Sequence, residues 1–97
     1  MINVGDIHLA DLNEERRRHV LVISNSRFER VSGRVLVAPE IIGEPDEIPF
    51  PWRVQVDDAV YAVDLVRSLP AARLLDRTDR AAATAMAAVR RALLNIT

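Results

Sequence analysis

The hydrophobic period of this 97-residue chain changes only once, and that change constrains the fold more than any other feature. Before Thr78, short apolar runs are separated by Gly, Pro, Asn and Asp, which is typical of β-strands joined by turns. From Thr78 onward, apolar residues recur every three or four positions, which predicts one amphipathic α-helix. Strands followed by a helix, without β–α–β alternation, indicate an α+β fold that is mainly β, with an antiparallel sheet.

Five or six strands are predicted, each short and each ended by turn-forming residues. The run at residues 20–23 is continuously apolar, which predicts a strand buried on both faces. Asp57 and Asp58 are predicted to form a tight hairpin turn, and residues 40–51, with three prolines, to form a loop. The predicted strands are residues 6–12, 20–23, 34–38, 52–56, 60–66 and, as a sixth, 73–75, with one irregular or helical turn at 28–31.

The predicted strands are expected to close into a barrel, and the C-terminal helix completes the predicted architecture. A small, curled antiparallel barrel buries short strands well, because closure removes exposed edges. The chain length suits a single domain, residues 1–97. Thr78 or Asp79 is predicted to cap the helix. The apolar stripe of that helix is formed by Ala82, Met86, Val89, Leu93 and Ile96.

Composition argues against several classes of protein. There is no cysteine, which excludes disulfides and thiolate metal sites. His8 and His19 are the only histidines and lack ligand spacing, so neither a metal site nor a cofactor is expected. No apolar run reaches the roughly 20 residues of a membrane span. The N-terminus lacks the basic region of a signal peptide, so we expect a cytoplasmic protein without a membrane partner.

Charge is unevenly distributed, although the net charge is only −1. Residues 14–34 hold six arginines against three glutamates, residues 40–64 hold seven acids against one arginine, and residues 73–91 hold five arginines against two aspartates. All thirteen basic residues are arginine, whose planar fork pairs two phosphate oxygens at once. A GC-rich coding sequence explains arginine usage as a whole, but the local cluster at Arg16, Arg17, Arg18 and His19 favours a binding surface for a polyanion.

Several segments, in collinear order, resemble the MazF/PemK toxin family. The first strand pair is the most specific part of this resemblance. The matching segments are G-D-I at residues 5–7, A-D-L at 10–12, R-H-V-L-V-I-S-N at 18–25, V-L-V-A-P at 35–39, I-P-F-P at 48–51, V-D-L-V-R-S-L at 63–69 and R-L at 73–74.

The resemblance implies a fold, an activity and partners. It implies an SH3-like (CcdB/PemK-type) barrel that forms a homodimer and is the toxin of a type II toxin–antitoxin system. It implies metal-independent, sequence-specific cleavage of single-stranded mRNA. It also implies a cognate MazE-like antitoxin, whose disordered tail, often acidic, occupies the RNA groove.

The chain departs from the family pattern at three places. The first loop is shortened to residues 13–17. The position of the usual catalytic threonine, after the Ala38-Pro39 pair, holds Ile41. His19 replaces the proline that usually follows the arginine. One half of the usual catalytic pair is therefore matched, by Arg18, and the other half is not.

Metal-free RNA cleavage needs a base for the 2′-hydroxyl proton, an acid for the 5′ oxygen and a cation for the phosphorane. Arg18 matches the family arginine and is the candidate cation; the alternative is that it only positions phosphate or pairs with Glu40 or Asp64. His19 exchanges protons near neutral pH, although strand alternation should turn it away from Arg18. Glu40 is the candidate base, and a solvated loop acid is its alternative.

A second set of residues is predicted to bind RNA. Basic side chains would follow the phosphate backbone, with Phe28 or Trp52 as stacking platforms. A solvated basic face over core aromatics is the alternative, and it is the better one for Trp52. The candidate RNA-binding residues are Arg16, Arg17, Ser24, Asn25, Arg27, Phe28 and Arg53.

Rival interpretations stay open at this point. One is a non-catalytic or gyrase-targeting CcdB-like toxin on the same fold, which the missing threonine favours. Another is a barrel-type nucleic-acid-binding module without a toxin role. The acidic segment at residues 44–47 is interpreted as the far rim of an RNA groove, a site for a basic partner, or a merely soluble loop.

Overall fold

A computed structural model describes residues 2–42 and 52–97. The predicted α+β class, mainly β, is confirmed. The acidic segment 44–47 and the I-P-F-P segment 48–51 lie outside the described residues. The elements are β1 (Asp6–Ala10), β2 (Arg18–Val22), α1 (Ser26–Ser32), β3 (Arg34–Pro39), β4 (Arg53–Val56), β5 (Ala59–Ala62), β6 (Arg67–Pro70), β7 (Leu74–Arg80) and α2 (Ala83–Ile96), with short 3₁₀ helices at Val63–Leu65 and Ala71–Arg73.

The strands form one antiparallel sheet of five, in the order β6-β3-β2-β1-β7, and a separate β4–β5 hairpin. Asp57, at φ +54°, begins the predicted tight turn of that hairpin. An isolated bridge between Glu40 and Tyr61 links the hairpin to the end of β3. The predicted closure into a full barrel is not seen among the described residues, where β6 and β7 are the edges of the main sheet. The highly charged sequence of β7 protects its edge against pairing with another chain.

The central strand β2 is buried on both faces, as its apolar run predicts. Leu21 belongs to a cluster beneath α2, which also holds Val63 and Val89. Val20 and Val22 point to the opposite face and belong to a second cluster with Val35, Val37 and others. Side chains alternate across a strand, so one strand supplies both clusters. The same alternation places the side chains of Arg18 and His19, at the start of β2, on opposite faces of the sheet.

The C-terminal helix begins later than predicted. Thr78 and Asp79 lie in β7, and α2 is preceded by Ala82, which provides no side-chain cap. The strand continues to Arg80 because β7 pairs with β1 through Asp6 and Ile7, an interaction that its charged sequence does not reveal. The helical stripe itself is as predicted in its centre, where Met86 and Val89 are buried, whereas Ile96 is exposed.

The fifth strand is shorter than its sequence predicts. Pairing with β4 stops at Ala62, and a 3₁₀ turn at Val63–Leu65 follows instead of the predicted continuation to residue 66. Val63 is fully buried, while Leu65 is exposed. The chain then re-enters the main sheet as β6, which pairs with β3. This redirection separates the β4–β5 hairpin from the five-stranded sheet and leaves space between them.

A buried carboxylate anchors the start of β1 to the end of β7. Asp6 is 1% exposed and accepts hydrogen bonds from the Asn3 amide at 2.9 Å and the Arg80 Nε at 3.0 Å. Arg77 Nη1 lies 3.8 Å from the same carboxylate. Burial alone would raise the pKa of Asp6, but the Asn3 amide and the two guanidiniums outweigh it, so the pKa lies below its ordinary value of 3.8.

Candidate functional site

The start of β2, which is partly exposed, presents two candidate catalytic side chains on opposite faces of the sheet. Arg18 lies on the side of Val20, and its Nη2 donates to Glu14 Oε2 at 2.9 Å. The Arg18 side chain is 25% exposed, and its buried Nε has no hydrogen-bond partner in the described part of the chain. Arg18 is therefore held at a loop by a surface carboxylate, through one hydrogen bond of its guanidinium.

His19 and Glu40 come together on the other face. His19 Nδ1 lies 3.4 Å from Glu40 Oε1, and the Glu40 amide donates to the His19 carbonyl at 3.0 Å. The register of β2 and β3 causes this contact, because Val20 faces Pro39 and the preceding pair is His19 and Glu40. Imidazole and carboxylate groups are both able to take up and release a proton in a reaction.

The same register shows where Ile41, which stands in place of the usual catalytic threonine of the family, lies relative to Arg18. If the pairing of β2 and β3 continued by one step, Arg18 would lie opposite Ile41. The Ile41 amide instead donates to Val60 of β5 at 2.8 Å, so the chain leaves β2 at this residue. An isoleucine here supplies no hydroxyl. The described residue next to Arg18 that can accept a proton is Glu14, on the loop before the strand.

A cleft of about 350 Å³ opens between the main sheet and the β4–β5 hairpin on the His19 side. Four carboxylates line it, from Glu40, Asp57, Asp58 and Asp79. Its remaining lining residues are Ile7, His19, Val56, Ala59, Tyr61 and Thr78. Arg18 is not among them, so the structure does not bring Arg18 into the space that His19 and Glu40 share.

Tyr61 lines this cleft and is almost completely buried, with 2% of its surface exposed. Burial, followed by the negative charges of Glu40, Asp79 and Asp57, raises the pKa of Tyr61 to about 12. The hydroxyl is therefore protonated at neutral pH. Thr78 adds a second hydroxyl to the cleft, and this hydroxyl donates to the Ile7 carbonyl at 3.4 Å.

Three arginines of the predicted RNA-binding set are exposed. Arg16 and Arg17 lie on the loop before β2, and Arg27 lies in the first turn of α1. Arg17 is 3.7 Å from Asp11, a surface contact that water competes with. Phe28 is 38% exposed on α1, which leaves part of its ring free for stacking.

Ser24 and Asn25 have structural tasks at the end of β2. The buried Ser24 hydroxyl accepts a hydrogen bond from the Leu36 amide at 3.0 Å. Asn25 is the N-cap of α1, and its side chain accepts from the Phe28 amide at 2.9 Å. Both side chains are thus engaged in holding α1 and β3 in place.

Arg53 lies in a different environment from the other predicted RNA-binding arginines. Its side chain is only 8% exposed, and its Nε is 3.5 Å from Asp64 Oδ1. It also lines a second cleft, between the hairpin and α2, with Gln55 and Thr84. This placement does not present the guanidinium on an open surface.

The sequence did not identify three residues near the two faces of β2 as candidates for the functional site. They are Glu14, Tyr61 and Thr78. The four-residue spacing of Glu14 and Arg18 is a signal that could have identified the first pair. Nothing local in the sequence marks Tyr61 or Thr78, because the cleft forms only when β5 and β7 meet the end of β2.

Within residues 2–42 and 52–97, no three His, Cys, Asp or Glu side chains are grouped so that they could hold one metal ion. In the same ranges, no helix has the length and apolar character required to span a membrane.

Comparison with known proteins gives one family match and many structural likenesses. A family model of PemK-like, MazF-like toxins of type II toxin–antitoxin systems matches residues 3–97. A comparison with curated protein sequences finds no match.

Solved structures share the fold over almost the whole chain. An endoribonuclease in complex with its cognate antitoxin, from a mycobacterial species, is 17% identical with a TM-score of 0.83, over 98% of this chain and 93% of that one. The toxin MazF-mt6 of Mycobacterium tuberculosis is 23% identical with a TM-score of 0.77, over 93% of each chain. A MazE–MazF structure from Deinococcus radiodurans is 26% identical with a TM-score of 0.76, over 98% of this chain and 94% of that one.

Proposed function

Because the chain belongs to the PemK-like, MazF-like toxins of type II toxin–antitoxin systems, we propose that it acts by cleaving single-stranded RNA without a metal ion. The observation that carries this proposal is the position of Arg18. It stands at the start of the central strand, with a partly exposed side chain that a neighbouring carboxylate orients. Two structural relatives described as mycobacterial endoribonucleases support the same activity.

Arg18 supplies the positive charge in the proposed reaction. The 2′-hydroxyl oxygen attacks the adjacent phosphorus, the bond to the 5′ oxygen breaks, and negative charge accumulates on the phosphorane oxygens between these events. A guanidinium that is already oriented stabilises this charge without reorganisation. Its two parallel N–H groups also match two phosphate oxygens.

Proton transfer is assigned to Glu14, because its carboxylate lies 2.9 Å from the Arg18 guanidinium on the same face. The carboxylate takes the proton of the 2′-hydroxyl and returns it to the leaving 5′ oxygen. The His19–Glu40 pair, with His19 Nδ1 3.4 Å from Glu40 Oε1, is the competing assignment. The two assignments place the scissile phosphate on different sides of β2, so they are separable by mutation.

RNA-binding and partner proposals follow from the same family membership. Arg16, Arg17 and Arg27 are proposed to follow the backbone of the substrate, with Phe28 stacking on a base. A cognate antitoxin and a homodimer are proposed as the assembled forms. The mycobacterial endoribonuclease was solved in complex with its cognate antitoxin, and the Deinococcus structure is one of MazE–MazF. None of the comparisons reported above favours the gyrase-targeting alternative.

The proposed activity is tested by incubating a long RNA with the purified chain in excess EDTA. We expect cleavage by the wild type that is lost in Arg18→Ala. Arg90→Ala removes an exposed arginine from α2 and is the matched control, for which we expect wild-type activity. Undiminished cleavage by Arg18→Ala, or no cleavage by the wild type, contradicts the proposal.

The base is assigned by comparing two conservative variants in the same assay. Glu40→Gln removes the carboxylate beside His19, and Glu14→Gln removes the carboxylate beside Arg18. General base catalysis contributes about 10²–10⁴-fold, so the correct variant should lose at least a hundredfold in kcat. We expect this loss in Glu14→Gln and only a small change in Glu40→Gln; the reverse result moves the reaction to the His19 face.

A further inference from the structure

The cleft between the main sheet and the β4–β5 hairpin is lined by acidic residues, which would repel the phosphates of RNA. Its carboxylates come from three separate places: the end of β3 (Glu40), the hairpin turn (Asp57 and Asp58) and β7 (Asp79). In the described part of the chain, Asp57, Asp58 and Asp79 form no ion pair, and Glu40 has only His19 at 3.4 Å. An RNA phosphate entering this space would meet like charge without compensation.

Tyr61 provides the second, independent feature of the cleft. The side chain is 2% exposed and lines the cavity, and no hydrogen bond among the described residues involves its hydroxyl. The hydroxyl is not one of the buried polar atoms of the described chain that lack a partner, so it faces the open space of the cleft, where a ligand can bond to it. The raised pKa of Tyr61 agrees with this geometry, because the carboxylates of Glu40, Asp79 and Asp57 contribute to it.

We propose that this cleft binds a cationic side chain, an arginine or lysine carried by a peptide partner of the toxin. The carboxylates supply charge and acceptors, and the Tyr61 hydroxyl can accept one N–H. A guanidinium, with five donors in a planar fork, can reach acceptors that are spread around a cavity. A single metal ion cannot, because the described residues hold no group of three ligands close enough to share it.

A nucleobase is the alternative occupant, because guanine also presents N–H groups to a carboxylate. The net charge argues against it. A neutral base would bring its own phosphate close to four carboxylates, whereas a cationic side chain is attracted by all of them. The volume, about 350 Å³, accommodates one long side chain with solvent.

Occupation of the cleft would leave the Arg18 face open for the reaction proposed above, and this consequence alone rests on the proposed function. The cleft lies on the His19 side of β2, and Arg18 does not line it. A partner that inserts a cationic side chain here would therefore not block the Arg18 face. Binding itself does not depend on the chain being a nuclease.

The test is an NMR titration of the full-length, ¹⁵N-labelled chain with Nα-acetyl-L-arginine methylamide. The citrulline analogue is the matched neutral probe, and guanosine tests the alternative. We expect saturable shifts of the Glu40, Tyr61 and Asp79 amides with the arginine probe, and at least tenfold weaker binding of the citrulline probe. Equal binding of the two probes, no shift at these amides, or shifts with guanosine but not with arginine would overturn the proposal.

Three variants locate the binding site. Asp79→Asn and Tyr61→Phe should each weaken the arginine probe by about threefold or more, the range expected for one exposed charge pair or one hydrogen bond. Asp76→Asn, an exposed acid of β7 outside the cleft, should bind as the wild type does. Tyr61→Phe removes a hydroxyl that has no partner in the described chain, so folding should be unaffected. Wild-type affinity in both cleft variants would refute the assignment, whatever the chain does to RNA.

Discussion

Replacing Asp6 by asparagine tests how the first strand is anchored to the last. The carboxylate accepts from the Asn3 amide at 2.9 Å and from the Arg80 Nε and Nη2, each at 3.0 Å. Asparagine keeps the size and one acceptor oxygen but removes the charge. Hydrogen bonds to charged groups contribute about 1.5–3 kcal/mol and neutral ones about 0.5–1.5 kcal/mol.

The guanidiniums of Arg77 and Arg80 are about half exposed, so water can solvate them again in the variant. We therefore expect the lower end of the possible loss, about 1.5 kcal/mol in the free energy of unfolding. For a domain of about this size, 1 kcal/mol corresponds to roughly 4–8 °C in Tm, so Tm should fall by roughly 6–12 °C. Thermal unfolding followed by circular dichroism at neutral pH measures this.

The effect should also depend on pH, because the folded chain holds the pKa of Asp6 below 3.8. A carboxyl with a lowered pKa stabilises the fold above its unfolded value, and this contribution disappears as the pH falls through the folded value. The difference in Tm between wild type and Asp6→Asn should therefore shrink as the pH drops below 3.8. Asp76→Asn, on the partner strand β7 but exposed and unpaired in the described chain, is the control and should show neither effect. An unchanged Tm in Asp6→Asn, or a difference that persists at low pH, would refute the reasoning.

Three further predictions concern the residues around β2 and the cleft. Ser24→Ala leaves the Leu36 amide without its 3.0 Å acceptor and should lower the free energy of unfolding, measured in urea, by about 1–3 kcal/mol. An unchanged urea midpoint would contradict a structural role for Ser24. Asn25→Ala removes the cap of α1 and should cost about 1 kcal/mol, seen as faster amide exchange in α1 but not in α2. Tyr61 should ionise with a midpoint of about 12 when phenolate absorbance is followed with pH, and a midpoint near 10 would contradict its burial among carboxylates.

The hydrophobic pattern of the sequence predicted those strands and helices whose buried residues recur at regular intervals. The apolar run in β2 identifies a strand with two buried faces, and the spacing of Met86 and Val89 identifies α2. The polar strand β7 could not be predicted beyond its first residues, because Asp76, Arg77 and Asp79 carry no hydrophobic alternation. That strand exists through its pairing with β1 and the Asp6 anchor, which are contacts distant in sequence.

The candidate site was predicted by residue type but not by geometry. Alternation along β2 correctly separated Arg18 from His19. The contact between His19 and Glu40 depends on the register of β2 and β3, which no local signal specifies. The burial of Arg53 likewise depends on Asp64, which the 3₁₀ turn after β5 brings within 3.5 Å.

The proposed reaction depends on the Arg18 guanidinium, which would stabilise the phosphorane of the cleaved RNA. The most direct measurement is the single-turnover rate of cleavage in EDTA for wild type, Arg18→Lys and Arg18→Ala, with Tm recorded for each chain. Removing one preorganised electrostatic donor costs about 10²–10³-fold, so Arg18→Ala should lose at least a hundredfold, Arg18→Lys should retain part of the rate, and all three should melt within a few degrees. Equal rates in all three chains would contradict the claim.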